Sequence, residues 1–160
     1  MKTILIVDDE KNIVSGLEEA FTLESYNVLT AYDGKEAWDK VNTNNVDLVI
    51  TDLRMPMMNG NELVEKISSS YPTLPVIVLT GHGTIETAVE SMRRGAVDFF
   101  TKPVDLDKLF LVVKKCLANS ELQEQNKKLT EEIEKLKNQQ KYSKIIGKSG
   151  KVATLMETIN

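Results

Sequence analysis

The sequence predicts an α/β fold in which a doubly wound parallel sheet is covered by helices on both faces. Short apolar runs alternate with segments of helical periodicity in five successive βα units. The apolar runs are continuous rather than alternating, which is typical of parallel strands buried on both sides. The 160 residues are 41% hydrophobic and 28% charged, which suits a globular domain with an appendage.

The first half of the chain contains three strand patterns with helical patterns after them. TILIV, NVLTA and DLVIT predict strands at 3–7, 27–31 and 47–51. The segment 12–24 predicts a helix because its apolar residues recur on one helical face. Helical patterns over 34–42 and 60–70 complete these units, and their apolar sides contain Ala37, Trp38, Val41, Leu63, Val64 and Ile67.

The second half continues the same alternation. PVIVLT and VDFFT predict strands at 75–80 and 97–101. Between them lies a predicted helix at 84–95 that Gly95 would close, since glycine adopts the backbone conformation that ends many helices. A last helix is expected to start near 104–106.

Composition and charge exclude several classes of function. The formal net charge of -4 gives no sign of nucleic-acid binding by bulk electrostatics. One cysteine, Cys116, allows neither an internal disulfide nor a cysteine-based zinc site. No apolar run approaches membrane-spanning length, and the acidic residues after the first strand do not fit a signal peptide. We therefore expect a cytoplasmic protein without a membrane partner.

The composition changes near residue 119, so we predict a domain over 1–119 and a helical linker over 120–141. Leucines recur every seven residues in the linker, which predicts a short two-stranded coiled coil. The predicted dimer seam contains Leu122, Asn126, Leu129, Ile133 and Leu136. A solvated helix folded back on its own domain is the alternative. Residues 142–160 cannot bury a core alone and are interpreted as the start of a further domain.

Polar side chains follow four of the predicted strands where each strand ends. Strand 1 ends in Asp8-Asp9, strand 3 in Asp52, strand 4 in Thr80, and strand 5 in Thr101-Lys102-Pro103. In an open parallel sheet the carboxyl ends of the strands form one crevice, where ligands bind. One such ending would be routine, but four together predict a site.

The chemistry of this set points to phosphoryl transfer. Three carboxylates in one crevice repel each other unless a cation is present, and hard oxygen ligands suit Mg²⁺. A carboxylate such as Asp52 can act as a nucleophile toward phosphorus. Lys102 and Thr80 can offer an ammonium and a hydroxyl to the transferred oxygens. Glu10 is interpreted as an acid that starts the first helix rather than as a metal ligand, and His82 as a loop residue.

These motifs resemble the response-regulator receiver domain of two-component signalling, over roughly 1–119. The resemblance implies a flavodoxin-like (βα)5 fold with strand order 2-1-3-4-5. It implies that Asp52 is the phosphoacceptor and that Asp8, Asp9 and the backbone carbonyl of Arg54 complete a Mg²⁺ site. It also implies the following roles: Thr80 as the switch hydroxyl, Phe99 as the aromatic that changes rotamer, Lys102 as the cation that pairs with phosphate, and Pro103 in a cis peptide bond.

The segment TGHGTIETAVESMRRGAVDFFTKP is similar to one branch, the receivers of sigma-54-dependent activators of the nitrogen-regulatory type. That resemblance implies a receiver, a linker, an AAA+ ATPase and a DNA-binding helix-turn-helix. IIGKSGKVATLMETI resembles the entry to the ATPase, so we expect 142–160 to be its truncated start. DNA and sigma-54 RNA polymerase would be partners only of the full-length protein. The expected partners of this chain are a sensor histidine kinase and a second copy.

Three other functions fit parts of the same pattern. The first is a phosphohydrolase with an aspartyl-phosphate intermediate, although Arg54 stands where such enzymes of the dehalogenase type carry a second Asp. The second is a flavin binder, although two Asp follow strand 1 in place of a Ser/Thr/Gly-rich phosphate loop. The third is a dimerisation module that works without phosphorylation. We expect no enzymatic activity beyond the chain's own phosphorylation and dephosphorylation.

Overall fold

The computed structural model describes residues 1–122 and Leu129. The chain divides into two compact units, Met1–Glu121 and Leu122–Asn160, and the first contains the whole of the predicted domain. Three positions of the predicted seam, Asn126, Ile133 and Leu136, lie outside the described residues. The predicted domain start at 142–160 lies outside them as well.

Five parallel strands form one sheet in the order 2-1-3-4-5, which confirms the predicted fold class. Every pairing is parallel, so all the strands end at the same edge. The strands are β1 (Thr3–Val7), β2 (Asn27–Ala31), β3 (Leu48–Thr51), β4 (Val76–Thr80) and β5 (Asp98–Thr101). Their bounds agree with the apolar runs to within one residue because those runs are what the two helical layers bury.

A helix follows each strand. The first four are α1 (Lys11–Leu23), α2 (Gly34–Thr43), α3 (Gly60–Ser70) and α4 (Ile85–Arg94). The fifth, α5, begins at residue 106 and is helical through residue 122. Gly95 closes α4 with a φ of 123°, as predicted, because glycine alone reaches this region without a steric penalty.

Two hydrophobic cores lie on opposite faces of the sheet. On one face α1 and α5 pack against β1, β3 and β4 around the fully buried ring of Phe21. On the other face α2 and α3 contribute Ala37, Val41, Leu63, Val64 and Ile67. Both layers leave the carboxyl edge of the sheet open, which is where the predicted site residues lie. No helix among the described residues is long and apolar enough to cross a membrane.

Candidate functional site

The sheet itself places two aspartates side by side. Asp8 directly follows β1 and Asp52 directly follows β3, which are neighbouring strands. The amide of Asp8 donates to the carbonyl of Ala31 (3.1 Å), and the amide of Asp52 donates to the carbonyl of Val7 (2.9 Å). These bonds extend the strand pairing by one residue, so both carboxylates project from the carboxyl edge. They are only 3% and 4% exposed, respectively.

Lys102 lies between the two carboxylates. Its amide donates to the carbonyl of Thr80 (2.9 Å), which carries the pairing of β4 and β5 past the strand end. Its Nζ lies 2.7 Å from Oδ2 of Asp8 and 3.3 Å from Oδ2 of Asp52. The peptide bond from Lys102 to Pro103 is cis, as the family resemblance implied. One ammonium therefore connects two buried carboxylates.

The remaining carboxylate oxygens accept backbone hydrogen bonds. Oδ1 of Asp8 accepts from the amide of Glu10 (3.0 Å), and Oδ1 of Asp52 accepts from the amide of Leu53 (2.6 Å). Buried charged groups need such partners, because an unpaired one is costly to remove from water. The bonds also fix the rotamers of both side chains, which leaves each Oδ2 atom directed toward Lys102.

Burial and charge act in opposite directions on these groups. Burial raises the pKa of the Asp8 carboxyl, and the charge of Asp52 adds to the rise; the hydrogen bonds from Lys102 and from the Glu10 amide oppose it without cancelling it. Burial lowers the pKa of Lys102, but the hydrogen bond to Asp8 and the charge of Asp52 outweigh burial and leave that pKa raised. Lys102 is thus held in its charged form by the two carboxylates.

A third carboxylate, from Glu10, completes the acidic group. Ligand oxygens of Asp8, Glu10 and Asp52 all lie within 4.8 Å of one another. The sequence favours Glu10 as an acid that starts the first helix rather than as a metal ligand; it does immediately precede α1, but its side chain makes no capping hydrogen bond and instead belongs to the group that could hold a metal ion. Its Oε1 lies 3.6 Å from Nζ of Lys102. Asp9, the predicted second metal ligand, is exposed and is not a member of this group.

The donor set fits a magnesium ion. All three side chains offer hard oxygen ligands, and Mg²⁺ takes such ligands from a small number of carboxylates while it keeps water or phosphate in its other positions. Three carboxylates around one ammonium also leave an excess of negative charge that a divalent cation would compensate. An acidic site suited to Mg²⁺ is therefore present.

The two predicted switch residues lie on neighbouring strands: Thr80 is the last residue of β4, and Phe99 lies two residues before the end of β5. Thr80 is fully buried, and its Oγ1 accepts a hydrogen bond from the amide of His82 (3.2 Å). Phe99 is half-buried and packs against the core under α2 and α3. A Cβ at Gly83 would lie 3.0 Å from the Phe99 ring, so the β4–α4 loop passes directly over that ring.

The loop after Asp52 packs closely on the start of α3. The amide of Gly60 donates to the carbonyl of Leu53 (2.9 Å), and a side chain at Gly60 would collide with the Asp52 carbonyl. Arg54 in this loop is exposed, and it contributes to an open cavity of about 420 Å³ beside the acidic group. The cavity is lined by Leu53, Arg54, Met55, Asn59, Asn61, His82 and Thr87.

A five-stranded parallel sheet of this order, with an acidic group and a lysine at its carboxyl edge, is the arrangement that the sequence resemblance implied for a receiver-type signalling domain. Comparison with known families agrees: the response regulator receiver domain matches residues 4–114. The chain belongs to this family, which confirms the resemblance seen in the sequence. Membership does not favour the phosphohydrolase, the flavin binder or the phosphorylation-independent module.

The relatives include transcriptional regulators. The chain is 42% identical over 117 residues to the transcriptional regulatory protein GlrR of Escherichia coli K12, which covers 73% of this chain and 26% of that protein. It is 40% identical over 114 residues to the regulatory protein AtoC of the same organism, with 71% and 25% coverage. The chain therefore spans about a quarter of the length of the curated relatives that it matches.

Solved structures give the same result. NtrX from Brucella abortus in complex with ADP superposes with a TM-score of 0.75 at 36% identity, over 81% of this chain and 30% of that one. A CheY-like receiver domain from Methanospirillum hungatei JF-1 superposes with a TM-score of 0.74 at 32% identity, over 77% and 98% of the two chains. The fold is thus that of a receiver domain.

Proposed function

We propose that Asp52 accepts a phosphoryl group from the phosphohistidine of a sensor kinase, and that this reaction controls a transcription activator. The observation that carries the proposal is the Lys102 ammonium shared by Asp8 and Asp52 at the carboxyl edge of the sheet. A carboxylate oxygen of Asp52 attacks phosphorus and forms the new P–O bond. The P–N bond breaks, and its electron pair returns to the imidazole nitrogen of the donor histidine.

The chain's own residues position and stabilise the transferred group. Leu53 fixes one oxygen of Asp52 through its amide, which leaves the other oxygen directed toward Lys102 and the crevice. Lys102 would exchange part of its contact with the carboxylates for the phosphoryl oxygens, where positive charge lowers the barrier. Thr80 would offer its hydroxyl to another of these oxygens once the β4–α4 loop moves inward.

Asp8, Glu10 and Asp52 are the described residues whose carboxylates would hold Mg²⁺. When bound, the ion supplies positive charge that compensates the charge on the transferring oxygens. We retain Asp9 and the carbonyl of Arg54 as proposed ligands from the family resemblance. Exposed Asp9 could act through a bound water, because Mg²⁺ usually keeps several waters.

Phosphorylation would change the surface that α4, β5 and α5 present. The added charge at Asp52 draws Thr80 toward the phosphoryl group and frees space near Gly83 for the ring of Phe99. Three apolar side chains on α4 are well exposed: Ile85 (84%), Val89 (50%) and Met92 (44%). A shift of α4 would therefore alter an apolar surface suited to partner contacts.

The full-length protein would be a sigma-54-dependent activator of the nitrogen-regulatory type. The similarity to GlrR, AtoC and NtrX supports this proposal. An AAA+ ATPase domain beginning in 142–160 and a DNA-binding domain beyond it would then carry out the response. The receiver would act as its regulator, with the linker 120–141 between them.

We propose further that the chain forms a homodimer through α5 and the linker. Two positions of the predicted seam, Leu122 and Leu129, are described as helical, and they are 55% and 56% exposed. Exposed leucines seven residues apart are typical of a coiled-coil seam before its partner is added. This proposal concerns the predicted seam and not the receiver site.

The test of phosphorylation is intact mass after incubation with acetyl phosphate. We expect one added phosphoryl group that requires both Mg²⁺ and Asp52, and none on Asp52→Asn. The matched control is Asp107→Asn, since Asp107 is an exposed aspartate on α5 far from the acidic group in sequence. An adduct that persists in Asp52→Asn would contradict the assigned acceptor.

The test of dimerisation is light scattering on the 160-residue chain. Leu129→Asp should shift the mass from dimer toward monomer, because a charge in the seam is not compatible with an apolar interface. Leu23→Asp is the control, since Leu23 on α1 is 78% exposed and outside the seam. Equal masses for wild type and Leu129→Asp would contradict this interface.

A further inference from the structure

A buried hydroxyl in the middle of α4 is not used by the site described above. Ser91 is fully buried, and it is the one buried residue in a helix whose apolar side chains are largely exposed. Its Oγ donates a hydrogen bond to Oδ1 of Asn61 (3.1 Å), which lies at the start of α3. A polar contact thus occupies the position where most helices place an apolar side chain.

Asn61 belongs to the segment that packs against the phosphoacceptor. It directly follows Gly60, whose amide donates a hydrogen bond to the carbonyl of Leu53. The Cα of Gly60 lies so close to the Asp52 carbonyl that a side chain there would collide with it. Asn61 also lines the cavity beside the acidic group, together with Arg54 and His82. A change in the backbone of Asp52 or Leu53 would therefore reach Gly60 through direct contacts, and Asn61 as its neighbour in the chain.

One turn farther along α4, a second polar contact joins the same two helices. Nη1 of Arg94 lies 3.1 Å from Oε1 of Glu65 on α3, and its Nε lies 2.6 Å from Oε2 of Glu90 on α4. This pair is at the surface, where ion pairs contribute little. The hydrogen bond from buried Ser91 to half-buried Asn61 is the stronger constraint on where α4 sits, because its donor is shielded from water.

We propose that Asn61 and Ser91 are positioning residues that couple the loop carrying Asp52 to α4. This connection runs through α3 and is separate from the one through Thr80 and Phe99. It rests on the proposed function, because phosphorylation at Asp52 is the event whose effect it transmits. Coupling of this kind predicts a measurable difference between variants in the response of α4.

The experiment is amide hydrogen exchange of α4 in the 160-residue chain, with and without beryllofluoride and Mg²⁺. In the absence of beryllofluoride, Ser91→Ala should raise exchange of residues 85–94 about fivefold, as expected for one lost hydrogen bond. Asn61→Ala should have a similar effect, and the double variant should match either single one because both remove the same bond. Ser69→Ala, at an exposed serine on α3, is the matched control and should exchange like wild type.

The response to beryllofluoride separates coupling from simple support. In wild type the exchange of α4 should change on beryllofluoride binding, whereas in Ser91→Ala most of that change should be lost. Intact mass after acetyl phosphate should still show the adduct on Asp52 in Ser91→Ala, because the acidic group is untouched. A residue with a merely structural role would raise exchange in both states and preserve the difference.

The outcomes are distinguishable. If wild type takes the adduct but Ser91→Ala keeps the full response of α4, the coupling is overturned and the proposed function stands. Additive effects of Asn61→Ala and Ser91→Ala would overturn it as well. If wild type shows neither adduct nor response, the proposed function fails and the coupling fails with it.

Discussion

Two helices of this domain, α1 and α4, are both amphipathic, but different kinds of contact hold them against the rest of the domain. Helix α1 buries Val14, Leu17 and Phe21 against the sheet and α5. Helix α4 buries only Ser91 and leaves Val89 half exposed. One helix is held by apolar burial, and the other is held largely by directional polar contacts.

The difference bears on which helix can respond to a signal. Removing α1 from its place would expose apolar side chains, each of which contributes roughly 1.5–3 kcal/mol when fully buried. The polar contacts of α4 contribute about 1 kcal/mol each, and water can replace them when they break. Elements with few buried apolar contacts open at lower free energy, so α4 is the helix that we expect the proposed phosphorylation to displace.

The largest expected loss of stability comes from a core substitution in α1. Phe21 is fully buried, and its ring meets that of Phe110 edge-on at a centroid distance of 5.0 Å. Phe21→Ala should lower the free energy of unfolding by about 3–5 kcal/mol, since it creates a cavity that close packing cannot refill. Urea unfolding followed by the fluorescence of Trp38 measures this loss.

The control for that variant is Leu23→Ala, on the same helix but 78% exposed, which should change the free energy of unfolding by less than about 0.5 kcal/mol. A loss below about 1 kcal/mol for Phe21→Ala would mean that α1 is not fixed by its core, and the contrast between the two helices would disappear.

The second effect is on the start of α4. Thr84 and Thr87 form a reciprocal capping box, in which the Thr84 hydroxyl accepts from the Thr87 amide (3.1 Å) and the Thr87 hydroxyl accepts from the Thr84 amide (2.8 Å). Thr84→Ala should weaken α4 by about 1 kcal/mol. Because α4 has little other support, the loss should appear as faster amide exchange across 85–94.

Thr22→Ala, at an exposed threonine inside α1, is the matched control for the cap and should leave the exchange of both helices unchanged. If Thr84→Ala instead lowered the stability of the whole domain and left α4 exchange as in wild type, α4 would be coupled to the core as firmly as α1 is.

The sequence predicts the strands and the main residues of the acidic site, but not the contacts that distinguish α4 from α1. The strands and their burial follow from the continuous apolar runs, because parallel strands covered on both faces have this pattern. Their order does not follow from these runs; the resemblance to the receiver family implied it, and the structure confirms it. Asp8, Asp52 and Lys102 could be placed together because each directly follows a strand, and parallel strands end at one edge. These predictions depend on chain connectivity and not on side-chain packing.

The residues that the sequence does not place depend on loop and helix orientation. Asp8, Asp9 and Glu10 are consecutive acids after β1, and only the backbone path into α1 decides that Glu10 faces Lys102 while Asp9 is exposed. Ser91 looks like an ordinary polar residue of a surface helix, because one serine carries no signal of burial. The apolar side chains Ile85, Val89 and Met92 lie on the exposed side of α4, so the pattern of this helix gives no signal for the burial of Ser91.

The last comparison makes the same substitution on the two helices, and its Val89 variant has the smallest expected effect of all. Val14 on α1 is 1% exposed, and Val89 on α4 is 50% exposed. Val14→Ala should lower the free energy of unfolding by about 2 kcal/mol, in keeping with the value of a fully buried valine. Val89→Ala should change it by less than about 0.5 kcal/mol, because the small loss of burial is offset by the better helix propensity of alanine.

Both variants replace a valine with alanine, so the difference between their unfolding free energies reports how each helix packs against the rest of the domain. Urea midpoints at constant m-value measure both variants. A loss of 1 kcal/mol or more for Val89→Ala would contradict the contrast, because it would mean that the side of α4 that contains Val89 is buried in solution. If the free energy of unfolding of Val89→Ala is nearly that of wild type, this surface is exposed in solution and is available to a partner that would bind after phosphorylation.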